Sequence, residues 1–303
     1  MQIPYLGEIF AFVTAIVWAS AVILFKKSGE TVHPIALNFF KNILAIVLLI
    51  PTIYIFEGWL FEGFTSGEII MLLVSGALGI GIADTLFFKS LNLLGAGLSA
   101  VVDCLYSPSI IFLAFLWVGE RLGWLQIIGV LMIISAVLTI SRADKSGLID
   151  RRNLLFGILW GILAMITMAV GIVMIKPLLN RSPLLPLSEI RLFGGGIILA
   201  IVFLFHPQRR RIATPHITGR GWIYMLTGSF LGAYCALLLW LAGMKYTQAS
   251  VAAALNQTSN IFIFIFAAIF LKEPITRRRV VGIALGVVGA LIVTFGKTGF
   301  VSP

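Results

Sequence analysis

A chain of 303 residues that is 60% hydrophobic and only 11% charged, with a mean hydropathy of +1.07, excludes a water-soluble globular domain and reads as an all-α integral membrane protein. The formal charge of +10 does not indicate nucleic-acid binding, because the basic residues fall in short breaks between apolar runs, as at 209–211 and 277–279. In that position they mark membrane orientation.

A helix needs about 20 apolar residues to span the hydrocarbon. In chain order that template predicts spans at 5–25, 34–56, 68–91, 96–118 and 124–140, then at 154–175, 185–205, 222–243, 248–271 and 276–295. No basic n-region precedes the first run, so it is expected to be retained as a span. The loops leave no room for a soluble domain.

The ten predicted spans fall into two related halves. A shift of 150 superposes Ala19 on Ala169, Lys26 on Lys176, Leu37 on Leu187 and Lys41 on Arg191. A shift of 153 then superposes Gly79 on Gly232, Leu86 on Leu239, Ala100 on Ala253, Ala114 on Ala267, Glu120 on Glu273 and Gly129 on Gly282. The expected organisation is a five-helix repeat over residues 1–145 and a second over 146–303, forming one membrane domain. Because five is odd, the second copy is expected to be inverted, with a substrate site near the midplane between the repeats. Counting the loops together with the span ends that flank them, 15 Lys and Arg fall on one side and 5 on the side of both termini. The positive-inside rule therefore predicts an inner-membrane protein with both termini outside.

An ionised side chain near the bilayer centre costs about 3 kcal/mol or more, so each one calls for a partner or a wet cavity. Lys41 lies seven residues into the second predicted span, at about 1.5 Å per residue roughly 10 Å deep. Asp103 lies seven residues into the fourth span and Asp84 seven before the end of the third, so one cation and two carboxylates share a level. A Lys41–Asp salt bridge could pin the helices. One lysine cannot neutralise both acids, however, and the spare carboxylate must bind a cationic group, hold a proton or face water. Asp84 and Asp103 are both candidates for a coupling proton.

Polar stripes point the same way. Asp103, Tyr106 and Ser107 are spaced i, i+3, i+4, and a shift of 153 turns them into Asn256, Ser259 and Asn260, with Gln257 beside them. Asn38, Lys41 and Asn42 form a second stripe, echoed by Ser188 and Arg191. Asp84, in contrast, maps to Leu237, so the carboxylates belong to the first half alone. Trp18, Tyr106, Tyr234 and Trp240 could form an aromatic wall for a cationic group or serve as packing and lipid-facing rings. Glu8 and Glu189 read as interfacial acids, Lys89 as a snorkelling cation, and Gly129, Gly282, Gly286 and Gly289 as close-packing surfaces. Cys104 and Cys235 suggest no disulfide framework, and His33, His206 and His216 no metal site, so no cofactor is expected.

The chain resembles the ten-helix, EamA-type branch of the drug/metabolite transporter superfamily. The residues that carry the resemblance are the basic residue early in the second helix of each repeat (Lys41, Arg191), the turns Gly119–Arg121 and Lys272–Pro274 after the fourth, and the proline-bearing fourth helix around Pro108. The second copy has Ile261 at the Pro108 position. The resemblance implies a secondary carrier with a central cavity, often an exporter of amino acids or other small metabolites. No P-loop, H-E-x-x-H or G-x-S-x-G motif occurs, which argues against a pump and against an enzyme.

The expected function is alternating-access export of a small polar or zwitterionic metabolite by a monomer or weak dimer in the lipid bilayer. Lys41 and Arg191 would meet a carboxylate, and Asp84 and Asp103 an amine or a proton. The alternatives are a lipid-headgroup flippase, a quaternary-amine transporter and a membrane-embedded enzyme.

Overall fold

A computed structural model describes residues 5–57, 63–118, 123–141, 149–179, 181–207, 209, 212, 219–246, 252 and 255–295. The Gly119–Arg121 turn, Arg210, Arg211, Ala253 and the first residues of the span expected at 248–271 lie outside the described residues.

Every regular element among the described residues is helical. In chain order these are α1 (Leu6–Ser28), α2 (Pro34–Phe56), α3 (Ser66–Gly76), α4 (Ala83–Leu94), α5 (Ala96–Asp103), α6 (Tyr106–Val118) and α7 (Trp124–Ser141). They are followed by α8 (Arg151–Val173), α9 (Lys176–Leu179), α10 (Leu184–Phe205), α11 (Gly219–Ser229), α12 (Ala236–Tyr246), α13 (Ser259–Phe270) and α14 (Arg277–Phe295). A π-helical segment, Ala77–Ile82, joins α3 to α4, and another, Phe230–Cys235, joins α11 to α12. Seven described helices are long and apolar enough to cross a membrane: α1, α2, the compound helix Ser66–Leu94, α8, α10, the compound helix Gly219–Gly243, and α14. Large apolar side chains such as Tyr54, Trp124, Leu131, Ile197 and Phe205 face outward, whereas Asn38, Lys41, Asn42 and Ser75 are buried. This inverse of a soluble fold is that of an integral, multi-pass membrane protein, in which helices satisfy their own backbone groups.

The element boundaries recur along the chain. α2 and α10 begin 150 residues apart, at Pro34 and Leu184. The starts of α3 and α11 (Ser66, Gly219), of the π segments (Ala77, Phe230), of α6 and α13 (Tyr106, Ser259) and of α7 and α14 (Trp124, Arg277) are each separated by 153. Packing repeats as well. α4 lies on α8 as α12 lies on α1, α10 lies on the first π segment as α2 lies on the second, and α7 pairs with α14. Small residues permit the closest approaches. A Cβ on Gly129 would sit 2.6 Å from the Gly289 carbonyl oxygen, and one on Gly76 only 1.8 Å from that of Arg191.

The span expected as one helix over 96–118 is broken. Pro108 has no N–H to offer the Cys104 carbonyl, and the chain tightens there, with the Cys104 and Leu105 amides donating to Val101 and Val102 at 3.3 and 3.0 Å. Thr258 makes the matching break in the second half without a proline. Its amide donates to the Leu255 carbonyl at 3.1 Å, and its hydroxyl donates to the same oxygen at 2.5 Å, a side-chain competition that weakens the helical ladder.

At the start of α5, Gly95 takes φ 82°, and the Glu273 carboxylate accepts the Ala96 and Gly97 amides at 2.7 and 3.1 Å. Glu273 of the Lys272–Pro274 turn thus supplies an anion to a helix N-terminus. Lys89, expected to snorkel, lies over the Trp160 ring, 4.9 Å from its centroid.

Candidate functional site

α2 grips the first π segment. The Asn38 side-chain nitrogen donates to the Ile80 and Gly81 carbonyls at 2.9 and 3.0 Å, carbonyls that the wider π turn leaves open to an outside donor. One turn further along α2, Lys41, only 7% exposed, donates from Nζ to Asp84 Oδ2 at 2.5 Å. Asp84 follows the π segment in the first turn of α4, so the grip on the π segment and the ion pair form one fastening between α2 and α4. Lys41 therefore neutralises Asp84.

Asp103, the last residue of α5, is the spare acid. No hydrogen bond or ion pair reaches its carboxylate among the described residues. It lines a cavity of about 340 Å³ between helices of both halves. α1 contributes Thr14 and Trp18 to the wall, α4 contributes Asp84 and Phe87, and α8 contributes Met165 and Met168. Tyr106 heads α6, and Trp240 comes from α12. Asn256, Gln257, Ser259 and Asn260 line it from around the second half's break.

Of the sequence-predicted residues, Trp18, Asp84, Asp103, Tyr106, Asn256, Gln257, Ser259 and Asn260 line this cavity, and Asn38, Lys41, Ser107, Arg191 and Tyr234 do not. Each of the latter has another engagement. Ser107 accepts from Gln257 Nε2. Its expected place on the Asp103 stripe assumed a continuous helix, and the break at Cys104–Leu105 removes that register. Arg191 donates from Nε to Ser75 Oγ at 3.0 Å, which in turn donates to the Gly171 carbonyl at 2.5 Å. Its charge is still within electrostatic reach of Tyr106 and Asp84. The Tyr234 hydroxyl pairs with Thr52 Oγ1 at 2.8 Å.

Glu189 corrects the expectation of an interfacial acid. It is fully buried, and both carboxylate oxygens lack a partner among the described residues. Leu185 and Leu192, four before and three after it, pack into the apolar cluster with Leu49 and Ile53, so helical register carries Glu189 inward. Sequence reasoning also passed over Thr14, Phe87, Met165 and Met168. Two of these were legible, since Thr14 is one turn from Trp18 and Phe87 three residues after Asp84. The methionines carry no polar signal at all.

Around the two breaks, hydrogen bonds come in exchanged pairs. Gln257 Nε2 donates to Ser107 Oγ, and Asn260 Nδ2 reaches Cys104 Sγ at 3.5 Å. Cys104 and Gln257 are separated by 153, as are Ser107 and Asn260, so each bond joins the same two positions with the halves exchanged. Asn42 Nδ2 likewise donates to the carbonyl of its own counterpart, Leu192, at 3.0 Å.

A largely apolar cavity that carries two carboxylates, set among the helices of a multi-pass membrane protein, fits the class of membrane transporters. The chain belongs to the EamA-like transporter family, which matches residues 5–142 and 155–295. It is 24% identical over 285 residues to an uncharacterized transporter of Archaeoglobus fulgidus, covering 94% of this chain and 96% of that one. It is also 24% identical over 279 residues to the uncharacterized transporter YetK of Bacillus subtilis, covering 92% and 83%. A solved crystal structure superposes with a TM-score of 0.69 over 97% of this chain and 99% of its own, at 18% identity, a likeness of fold.

Proposed function

We propose that this transporter is a secondary carrier working by alternating access, and that Asp103 is the group that holds the substrate or a coupling proton. The observation that carries the proposal is the division of labour between the two aspartates. Lys41 takes Asp84, which leaves a cavity-lining carboxylate unpaired in a setting where an unpaired charge is costly.

The reading takes residues 1–145 and 146–303 as inverted five-helix repeats, with both termini outside. The recurrence of element boundaries at 150 and 153 residues supports it, as do the exchanged bonds Gln257–Ser107 and Asn260–Cys104. Two structurally equivalent halves around one site can rock against each other, exposing it to one side and then the other. Carboxylate binding by Lys41 and Arg191 is not retained, because neither lines the cavity and each is engaged elsewhere. The substrate's amino group is retained, facing Asp103.

The test is counterflow in proteoliposomes without ATP. Labelled substrate should accumulate against preloaded unlabelled substrate, and Asp103→Asn should abolish that flux while leaving the unfolding temperature unchanged. Unchanged flux per folded molecule in Asp103→Asn sinks the role of Asp103.

A further inference from the structure

We infer that the cavity selects an organic monocation with an aromatic or apolar body, an arylalkyl amine without a carboxylate. The inference rests on the carrier reading and narrows its substrate class.

Three features of the wall converge on this choice. The first is charge. Both charged residues that line the cavity are acids, Asp84 and Asp103, and the buried cations nearby, Lys41 and Arg191, stand behind the wall. Lys41 is spent on Asp84 at 2.5 Å and Arg191 hydrogen-bonds Ser75 at 3.0 Å. Among the lining residues, the charge left without a partner is therefore the Asp103 carboxylate, which attracts a ligand cation and repels a ligand carboxylate at the contact, while the charge of Arg191 acts from behind the wall.

The second feature is the direction of the remaining hydrogen-bonding capacity. Two amide nitrogens of the lining are used within the protein: Gln257 Nε2 donates to Ser107, and Asn260 Nδ2 donates to Gln257 Oε1 at 3.3 Å and Cys104 Sγ at 3.5 Å. The Asp103 carboxylate, which can only accept, has no partner among the described residues, and neither has the buried Asn256 Oδ1. A protonated amine supplies donors and a positive charge together; a carboxylate or phosphate supplies neither. Asp103 and Asn256 are separated by 153, so the two acceptors occupy equivalent positions of the two halves.

The third feature is the body of the cavity. Trp18, Phe87, Tyr106 and Trp240 on four different helices, with Met165 and Met168 on a fifth, make the rest of the wall aromatic and polarizable. Aromatic faces attract ammonium groups that have lost their water, and methionines adapt to aromatic rings of varied shape. A volume of about 340 Å³ lies at the small end of ligand pockets, which fits one ring and a short arm.

The experiment uses three ligands that share a ring and differ in charge: 2-phenylethylamine, phenylalanine and 3-phenylpropionate. Binding to the full-length protein in nanodiscs is followed by tryptophan fluorescence and thermal shift. The amine is expected to bind at least tenfold more tightly than phenylalanine, and the propionate not to bind. Asp103→Asn should weaken the amine at least tenfold, and Asp103→Asn/Asn256→Asp, which moves the acid to its counterpart, should restore most of the loss. The unsubstituted protein alone decides the order of the charge series, whatever the variants' folding. Tighter binding of phenylalanine or phenylpropionate, an amine affinity indifferent to Asp103→Asn, or no binding of any of the three overturns the inference. Counterflow separates this from the carrier reading. Flux of the zwitterion or the anion alone removes the monocation and leaves the carrier, whereas amine binding without flux removes the carrier and leaves the cation site.

Discussion

The two halves of the molecule treat the same buried cation differently. Lys41 on α2 closes on Asp84 at 2.5 Å, and Arg191 occupies the corresponding place on α10, 150 residues later. The position of Asp84, however, is Leu237 in the second half, so Arg191 has no acid of its own and crosses to Ser75 of the first half. Element boundaries recur, down to the π segments, while the charges do not. A repeated scaffold can thus bring two equivalent walls to one cavity and still give that cavity a polarity, with the acid on one wall and an amide, Asn256, on the other.

The largest expected effect tests that asymmetry. Lys41→Met leaves Asp84 buried and unpaired and should cost about 3–5 kcal/mol of stability, read by chemical unfolding in mixed micelles. The double variant Lys41→Met/Asp84→Leu, which copies the second half's leucine, should recover most of it. Arg191→Met should cost less, about 1–3 kcal/mol, because it removes a charged donor to a hydroxyl and leaves no unpaired acid. Equal costs for Lys41→Met and Arg191→Met would break the comparison.

A smaller effect concerns packing. Gly76 touches the Arg191 backbone so closely that a Cβ would lie 1.8 Å from its carbonyl oxygen, whereas its counterpart 153 residues on is Ser229, which carries a Cβ. Gly76→Ala should therefore destabilise by about 1–3 kcal/mol. Gly67→Ala, with nothing within 4 Å of the new Cβ, should leave the unfolding midpoint in place.

The smallest effect sharpens the comparison of the two breaks. Ile261 stands where the first half has Pro108, yet the second half breaks too, at Thr258. Pro108→Ile should thus change stability by about 1 kcal/mol or less. Hydrogen exchange at the Cys104 and Leu105 amides should stay as fast as before. Protection of those amides in the variant would show that the proline alone makes the first break.

Much of this was readable in the chain. Apolar runs longer than any soluble helix needs anticipated the seven membrane-length helices among the described residues, and a self-match at two fixed shifts anticipated the recurrence of element boundaries, because lipid imposes one simple rule on backbone and side chain alike. The same rule made Asp84, Asp103, Lys41 and Arg191 conspicuous. Helical periodicity also grouped Asp103 with Tyr106 and Asn256 with Ser259 and Asn260, and all five line the cavity although a break lies inside each stripe. It failed for Ser107, which follows the break at Cys104–Leu105 and accepts from Gln257 instead. It failed for Glu189 because depth along a helix says nothing of which neighbour covers a residue.

The sequence by itself determined the solvent, the approximate spans and the presence of one more carboxylate than Lys41 can neutralise. Composition and spacing are properties of single segments, and those suffice for such conclusions. Only the tertiary structure decided that Lys41 belongs to Asp84, that Arg191 turns to Ser75, and that Asp103 and Asn256 face an aromatic cavity. Pairing depends on which helix faces which across the bundle, and that is set by contacts such as Gly76 against Arg191 and Asn42 against Leu192, to which no single segment holds the key.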